Sequence, residues 1–245
     1  MPNKISFFYG WVILVVAWLT YGLAISPGYY GWSVVSPSVE AELDLSREQL
    51  GSILGYFVLL LGCSAPLVGT LVDRFGTRRV IPFGCLVSAT GFFMMSRADS
   101  YSDCVLWFSV TSGFGVALSS QVPTQTLAAN WFNKRRAMAM SIILTAGGLV
   151  GKGVPILNNY VMEQHDWRMV WVVASGISVS LAVVTFTLIR NRPSDLGQFP
   201  DGEIGEYPDD HVVSDDDPSE KAAAVGNAND FTLLEALRCP QFYVL

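Results

Sequence analysis

Gly69-Thr70-Leu71-Val72-Asp73-Arg74-Phe75-Gly76-Thr77-Arg78-Arg79 is a polar connection between two apolar runs, 50–68 and 80–95. One Asp, three Arg and two Gly crowd into it. In a water-soluble protein such a stretch is a surface turn. With a membrane-length apolar segment on each side, it reports which way the whole chain faces.

The chain around it has a membrane composition. Of its 245 residues, 51% are hydrophobic and only 15% charged, a balance usual for polytopic membrane proteins and unusual for soluble domains. An α-helix needs about 20 apolar residues to cross roughly 30 Å of hydrocarbon. Six runs approach that length: 10–30, 50–68, 80–95, 104–128, 137–161 and 169–189. The expectation is an all-α membrane protein with six transmembrane helices, the third extending into its flanks. The first run follows a lone Lys4, as a signal peptide would, but it is too long for a signal's apolar core. It also lacks a small-x-small cleavage pattern, so it reads as a retained span.

Positive residues accumulate in cytoplasmic connections. Lys4, Arg74, Arg78, Arg79, Lys134, Arg135, Arg136, Arg190 and Arg192 fall on one side, and only Arg47, Arg97 and Arg168 on the other. That count puts the amino terminus and the segment after the sixth run in the cytoplasm, which an even number of spans requires. The opposite connections carry acids: Glu40, Glu42, Asp44 and Glu48, then Asp99 and Asp103, then Glu163 and Asp166. The expected location is the plasma membrane, or the inner membrane of a bacterium. The basic residues form short clusters between apolar runs and no continuous face, which argues against nucleic-acid binding.

The net charge of −6 conceals an asymmetry. Residues 194–230 hold eleven acids against Lys221 alone, leaving the remainder of the chain at +4. The expected organisation is a six-span half-domain over 1–192, an acidic cytosolic linker over 193–230 and a further apolar start over 231–245. The linker has too little apolar content to fold alone. The last stretch reads as the start of a second half-domain, with truncation expected after it. Cys63, Cys85, Cys104 and Cys239 are scattered, with no CxxC spacing, and read as free thiols with no metal site.

Within the spans, Gly51 and Gly55 form one GxxxG and Gly147 and Gly151 another, spacings that let helix backbones approach closely. Such pairs serve static packing or a moving interface equally well. Pro27, Pro66, Pro123 and Pro155 lie in or near span ends, where a missing backbone hydrogen bond is tolerated beside a cavity or a neighbouring helix. They suggest a water-accessible interior.

The pattern Gly69-x3-Asp73-Arg74-x-Gly76-x-Arg78-Arg79, placed between the second and third of six spans, resembles the most characteristic motif of the major facilitator superfamily. Other stretches resemble its oxalate/formate antiporter and monocarboxylate transporter branch. They are Tyr9-Gly10-Trp11-Val12, Asn130-Trp131-Phe132 with Lys134-Arg135-Arg136-Ala137, Asp166-Trp167-Arg168 with Trp171, and Arg192-Pro193 with Gly197 and Pro200-Asp201-Gly202. The resemblance covers essentially the whole chain, yet family members have twelve spans in two halves. This chain corresponds to the amino-terminal half. It implies a half made of two inverted three-helix repeats, and alternating access by rocking against a missing carboxy-terminal half. It also implies a conformational latch: Asp73 faces a helix N-terminus of the other half, Arg74, Arg78 and Arg79 are its charged neighbours, and Gly69 and Gly76 permit close approach and the turn. An anion at a helix's positive end gains up to about 2 kcal/mol when partly buried. Family members tend to carry an acid near the cytoplasmic end of the fourth span, but 127–131 supplies none, which leaves the partners of Arg78 and Arg79 open.

Lys152 is the one charged side chain well inside a span. At mid-membrane it costs about 2.5–3.5 kcal/mol, so it should face protein or water. Thr145, Gly148, Lys152 and Asn159 share one helical face. The stripe suits a cavity that attracts a carboxylate. Pairing within the fold, or snorkelling to the interface, are the alternatives. Gln121 and Gln125 share a face of the fourth span, where contact with substrate and hydrogen bonding to another helix are both open. Tyr29 and Tyr30 end the first span; the resemblance makes the first and fourth helices line the path, while aromatics at span ends are ordinarily interface anchors. Trp131, Trp167 and Trp171 are read as such anchors. His165 has no second ligand nearby, and no catalytic constellation or phosphate-binding loop is present.

The expected function is secondary active transport of small organic anions, mono- or dicarboxylates, across a lipid bilayer, by H+ symport or anion exchange. No cofactor and no enzymatic chemistry are expected. No Asp or Glu lies inside the six runs, so a proton carrier would sit elsewhere or on the substrate. The competing expectation is a self-contained six-span sensor, assembly partner or half-transporter.

Overall fold

A computed structural model describes residues 8–202, so the expectations for 203–245, which include most of the acidic segment, lie outside the described residues. Every regular element in it is helical: α1 (Gly10–Tyr29), α2 (Trp32–Leu43), α3 (Arg47–Cys63), α4 (Ala65–Phe75), α5 (Thr77–Met95), α6 (Tyr101–Asp103), a π-helical stretch (Cys104–Ser112), α7 (Gly113–Ser119), α8 (Gln121–Trp131), α9 (Arg136–Gln164) and α10 (Trp167–Leu188). Two short 3₁₀ turns follow, Pro193–Leu196 and Pro200–Gly202.

Four helices are long and apolar enough to cross a membrane, spanning Gly10–Leu43, Tyr101–Trp131, Arg136–Gln164 and Trp167–Leu188. The pair α3 and α4 makes a fifth, bent by 47°. Pro66 sits in the first turn of α4, where its missing N–H costs least, and it resets the helix direction there. The remaining expected span is α5, which falls short of the same hydropathy standard. Arg78 and Arg79 open it, and its other faces are buried at Ile81, Cys85, Ser88, Ala89 and Phe92. A helix enclosed by protein needs less apolar surface than one meeting lipid.

The connection around residue 69 is less of a loop than its composition predicts. Val68, Leu71, Val72 and Phe75 recur at helical spacing, and Gly69, Asp73 and Arg74 ride on α4 between them. Only Gly76, at φ 77°, departs from helical geometry, and Thr77, Arg78 and Arg79 already belong to α5. The first helix is longer than expected: α2 carries it on to Leu43, so Glu40 and Glu42 are helical rather than in a connection.

The spans pair in a repeating way. The first packs against the fifth, the second against the fourth and the third against the sixth. Exchanging spans 1–3 with spans 4–6 maps these three pairings onto one another, as two three-helix repeats require, while the third span also packs extensively on the fourth. Where α5 meets the fourth span, a Cβ on Gly115 would stand 2.2 Å from the backbone N of Ser88, and one on Gly91 2.5 Å from that of Ser112. Only glycine allows backbones this close.

One apolar cluster gathers Ile13, Ala17, Leu127, Trp131, Ile143 and Leu181 toward the end of the bundle that carries the 76–79 turn, hereafter the loop face. Another gathers Trp32, Phe57, Phe92, Phe108 and Trp171 toward the far face. In it, Trp32 and Phe57 stack on Phe108 with centroids 4.6 and 5.1 Å away, and Trp171 meets Phe92 and Phe108 at 5.7 and 5.2 Å. These rings correct the expectation of interface anchors: Trp131, Trp167 and Trp171 are 0%, 3% and 0% exposed. Trp131 is turned inward and its indole N–H donates to the Arg190 carbonyl at 3.0 Å; that of Trp167 donates to Glu42. A buried indole satisfied in this way is a core residue.

Candidate functional site

Two groups of residues were singled out on the sequence, and the fold treats them differently. The first is the charged turn. Asp73 and Arg74 are exposed on α4, and Asp73 has no hydrogen bond or ion pair to any described residue. Gly69 has open space around its Cβ position. The carboxylate is therefore presented outward, free to meet a group beyond residues 8–202.

The arginines find aromatic rings in place of acids. Arg74 lies over Phe75 with its guanidinium carbon 5.3 Å from the ring centroid, and Arg78 lies over Phe186 of α10 at 5.9 Å. Contacts of this kind hold a guanidinium in place for about 0.5–1 kcal/mol at exposed sites. The turn itself is held by Asn191, which the sequence did not single out. Its Oδ1 accepts from the Arg78 backbone N–H at 2.9 Å and from the Thr77 hydroxyl at 3.1 Å. A Cβ on Gly76 would stand 2.6 Å from the Asn191 amide nitrogen, so position 76 is constrained twice, by its positive φ and by this neighbour.

The second group is the stripe on α9. Thr145, Gly148, Lys152 and Asn159 are all exposed, while the adjoining stripe Ala146, Gly147, Gly151, Val154 and Asn158 is buried. The buried stripe meets α1. Tyr21 fits against Gly147, Tyr30 against Gly151 and Val150 against Gly22, and the Trp18 indole N–H donates to the Thr145 hydroxyl at 3.0 Å. This GxxxG is packed against α1. Gly51 and Gly55 on α3 have nothing within 4 Å of their Cβ positions, so theirs is an uncovered surface.

Lys152 makes no hydrogen bond or ion pair with any described residue, which disposes of the pairing alternative within residues 8–202. Tyr30, packed on Gly151, stands beside it in the fold, and Tyr29 meets Tyr30 edge-on with centroids 5.1 Å apart. Tyr29 and Tyr30 are 47% and 36% exposed. Gln121 is exposed at the start of α8, after a break at Ser120 (φ −100°, ψ −122°) that Pro123 in the next turn accompanies. Tyr29, Tyr30 and Lys152 are thus brought to neighbouring places on α1 and α9, and Asn159 lies two turns further along α9. No hydrogen bond or ring contact joins Gln121 to them.

At the far face, Arg168 gathers acceptors from two distant parts of the chain. It reaches Glu42 at 2.8 Å, Asp99 at 3.1 Å and the carbonyls of Ser96 and Ala98 at 3.3 and 2.8 Å. Its guanidinium also lies 4.6 Å from the Trp167 ring centroid. The sequence placed Glu42, Asp99 and Arg168 on one side of the membrane. That they meet on one guanidinium is a tertiary fact.

Comparison with known proteins agrees with this architecture. The Major Facilitator Superfamily model matches residues 6–242. The MFS-type transporter YhjX of Escherichia coli, itself uncharacterized, is 24% identical over 217 residues, 88% of this chain and 48% of that protein. Monocarboxylate transporter 13 of Bos taurus is 28% identical over 196 residues, 78% of this chain and 44% of the relative. Monocarboxylate transporter 2 of Mesocricetus auratus is 22% identical over 170 residues. The crystal structure of a bacterial homolog of the human lysosomal transporter Spinster, inward-facing and unoccupied, superimposes with a TM-score of 0.66 at 18% identity, covering 97% of this chain and 49% of that one. The chain spans about half the length of the relatives it matches, or less. Matched over nearly all its length, and folded as one half of that architecture, the chain belongs to the Major Facilitator Superfamily.

Proposed function

We propose that this chain is the amino-terminal half of a secondary active transporter for small organic anions, mono- or dicarboxylates. It works by alternating access, either by symport with H+ or by anion exchange. The observation that carries the anion assignment is Lys152, a cation inside a span, exposed and without a hydrogen bond or ion pair among the described residues, with Tyr30 packed on the neighbouring Gly151 and Asn159 two turns along the same stripe. Similarity to monocarboxylate transporters supports the same class. In a half-domain, such a face is where a second half-domain would enclose a central cavity. There the ammonium would attract a carboxylate from water into a site of low dielectric, while the tyrosine hydroxyls and the Asn159 and Gln121 amides would orient it.

The motif residues have a different task. Asp73 is solvent-facing on α4, as suits an anion that meets the positive end of a helix in one conformation and releases it in another. Arg74, Arg78 and Arg79 surround it with positive charge on the expected cytoplasmic side. The uncovered line of Gly51, Gly55 and Gly69 on α3 and α4 is a smooth surface suited to sliding contact with the second half. The location we propose is the plasma membrane, with residues 8 and 202 on the cytoplasmic side.

The test is uptake of radiolabelled L-lactate and oxalate into proteoliposomes holding the native full-length protein, with proton and counter-anion gradients imposed separately. Flux under one of them is expected. Its absence for both anions under every gradient would sink the substrate assignment.

A further inference from the structure

The three helices that begin at the loop face are α1, α5 and α9, which open the first, third and fifth spans. None of them has an N-cap side chain of its own: Tyr9, Gly76 and Arg135 stand at the cap positions without a side-chain hydrogen bond. At the far face two of the three helix starts are capped locally and one, Asp166 before α10, has no side-chain cap hydrogen bond. There α3 has a full capping box from Ser46 and Gln49, and the Ser100 hydroxyl accepts from the Asp103 N–H at the start of α6. Helix N-termini leave orphan N–H donors that must find partners.

All three orphaned ends find theirs in one short segment that follows α10. Asn191 Oδ1 accepts from the Arg78 N–H of α5 at 2.9 Å. Gln198 Oε1 accepts from the Tyr9 N–H at the head of α1 at 3.0 Å. Asp201 accepts from three successive N–H groups before α9, those of Asn133, Lys134 and Arg135, at 2.9, 2.6 and 3.4 Å. Its negative charge lies where the dipole of a 29-residue helix is positive. To do this Asp201 adopts φ 58°, a left-handed conformation that a non-glycine residue holds only when its surroundings enforce it. The segment is seated by further contacts. The Trp131 indole donates to the Arg190 carbonyl, the Tyr9 hydroxyl donates to the Leu188 carbonyl at 3.0 Å, and Gly202 lies against the Phe8 ring, which itself meets Phe132 edge-on at 5.6 Å.

We propose that residues 190–202 form a clasp that caps the first, third and fifth spans from outside, and that Asn191 and Asp201 are positioning residues of the transport cycle. Through them the start of the interdomain segment sets the 76–79 turn and the 133–135 connection together. The latch residues Arg78 and Arg79 and the basic residues Lys134 to Arg136 are then oriented by one element, and a pull on that element reaches both. This rests on alternating access as proposed above.

The experiment uses the native full-length protein in nanodiscs, with its cysteines replaced and one reporter, Gly148→Cys, on the exposed stripe of α9. Two quantities are read: hydrogen exchange of the amides at 77–79 and 133–135, and the rate at which a water-soluble maleimide labels the reporter. Asp201→Ala is expected to speed exchange at 133–135 at least tenfold, and Asn191→Ala to do so at 77–79. Each should change the labelling rate at least threefold, with Asp201→Glu returning it to within twofold of the parent. Faster exchange with unchanged labelling would reduce the clasp to a static strap and overturn the proposal, as would unchanged exchange. If Asp201→Ala does not fold, Asp201→Asn, which keeps one acceptor oxygen, carries the same two readouts. The labelling needs no substrate, so a wild type that moves neither lactate nor oxalate loses the substrate assignment alone, and unaltered labelling in the variants removes the clasp alone.

Discussion

At the scale of single residues, the proposed function rests on Lys152 and Asp73, both of which are exposed in the described half. Their substitutions should separate binding from movement. Lys152→Gln removes the charge and keeps most of the length. Competition binding of oxalate to the full-length protein should weaken at least tenfold, about 1.4 kcal/mol, and unchanged affinity would return Lys152 to a packing or snorkelling role. Asp73→Asn keeps the shape and removes the anion proposed to face a helix dipole of the second half. Proteoliposome flux should then fall severalfold in maximal rate, with half-saturation within twofold of wild type. A shift in half-saturation alone would place Asp73 in the site rather than in the latch.

At the scale of elements, glycine has two opposite uses that the sequence spacing did not distinguish. Gly115 is pressed against the backbone of Ser88, whereas the Cβ position of Gly55 is open. Gly115→Ala must push α7 and α5 apart, at a cost of a few kcal/mol for overpacking, and a lower detergent-solubilised melting temperature should report it. Gly55→Ala should leave that temperature unchanged or slightly raised, since alanine favours the helix. The same kind of comparison applies to the helix α10, whose first turn carries Arg168. Arg168→Ala strands the carbonyls of Ser96 and Ala98 and releases Glu42 and Asp99 to water. The loss should be about 2 kcal/mol in a denaturant titration, reflecting charge-assisted hydrogen bonds that are only partly screened. Arg168→Lys should recover little of it, because one ammonium cannot serve four acceptors arranged for a fork.

At the scale of the whole molecule, the spans, their repeat pairing and the two uncovered faces make one half of a transporter fold. The connections at 44–46 and 133–135 should lie on opposite sides of the membrane. In a cysteine-free background, Asp44→Cys and Lys134→Cys should react with an impermeant maleimide from opposite sides of sealed vesicles, and labelling of both from one side would contradict the six-span topology.

Much of this was legible in the residues. Apolar length and the asymmetry of Lys and Arg are one-dimensional properties, set by the thickness of the bilayer and the charge bias of its faces, so the spans can be read along the chain and an orientation proposed from it. The 69–79 pattern likewise carried its family with it. Tertiary structure decided what depends on residues far apart in sequence. It turned Trp131, Trp167 and Trp171 inward, because Trp131 and Trp171 meet other aromatic rings and Trp131 and Trp167 find an acceptor only when the spans are packed. It divided the glycines into contact and open surface. It also brought Asn191, Gln198 and Asp201 to helix ends more than 60 residues away, since an orphan N–H can be satisfied by any acceptor that folding places within reach, and nothing in the local sequence of the helix names which one.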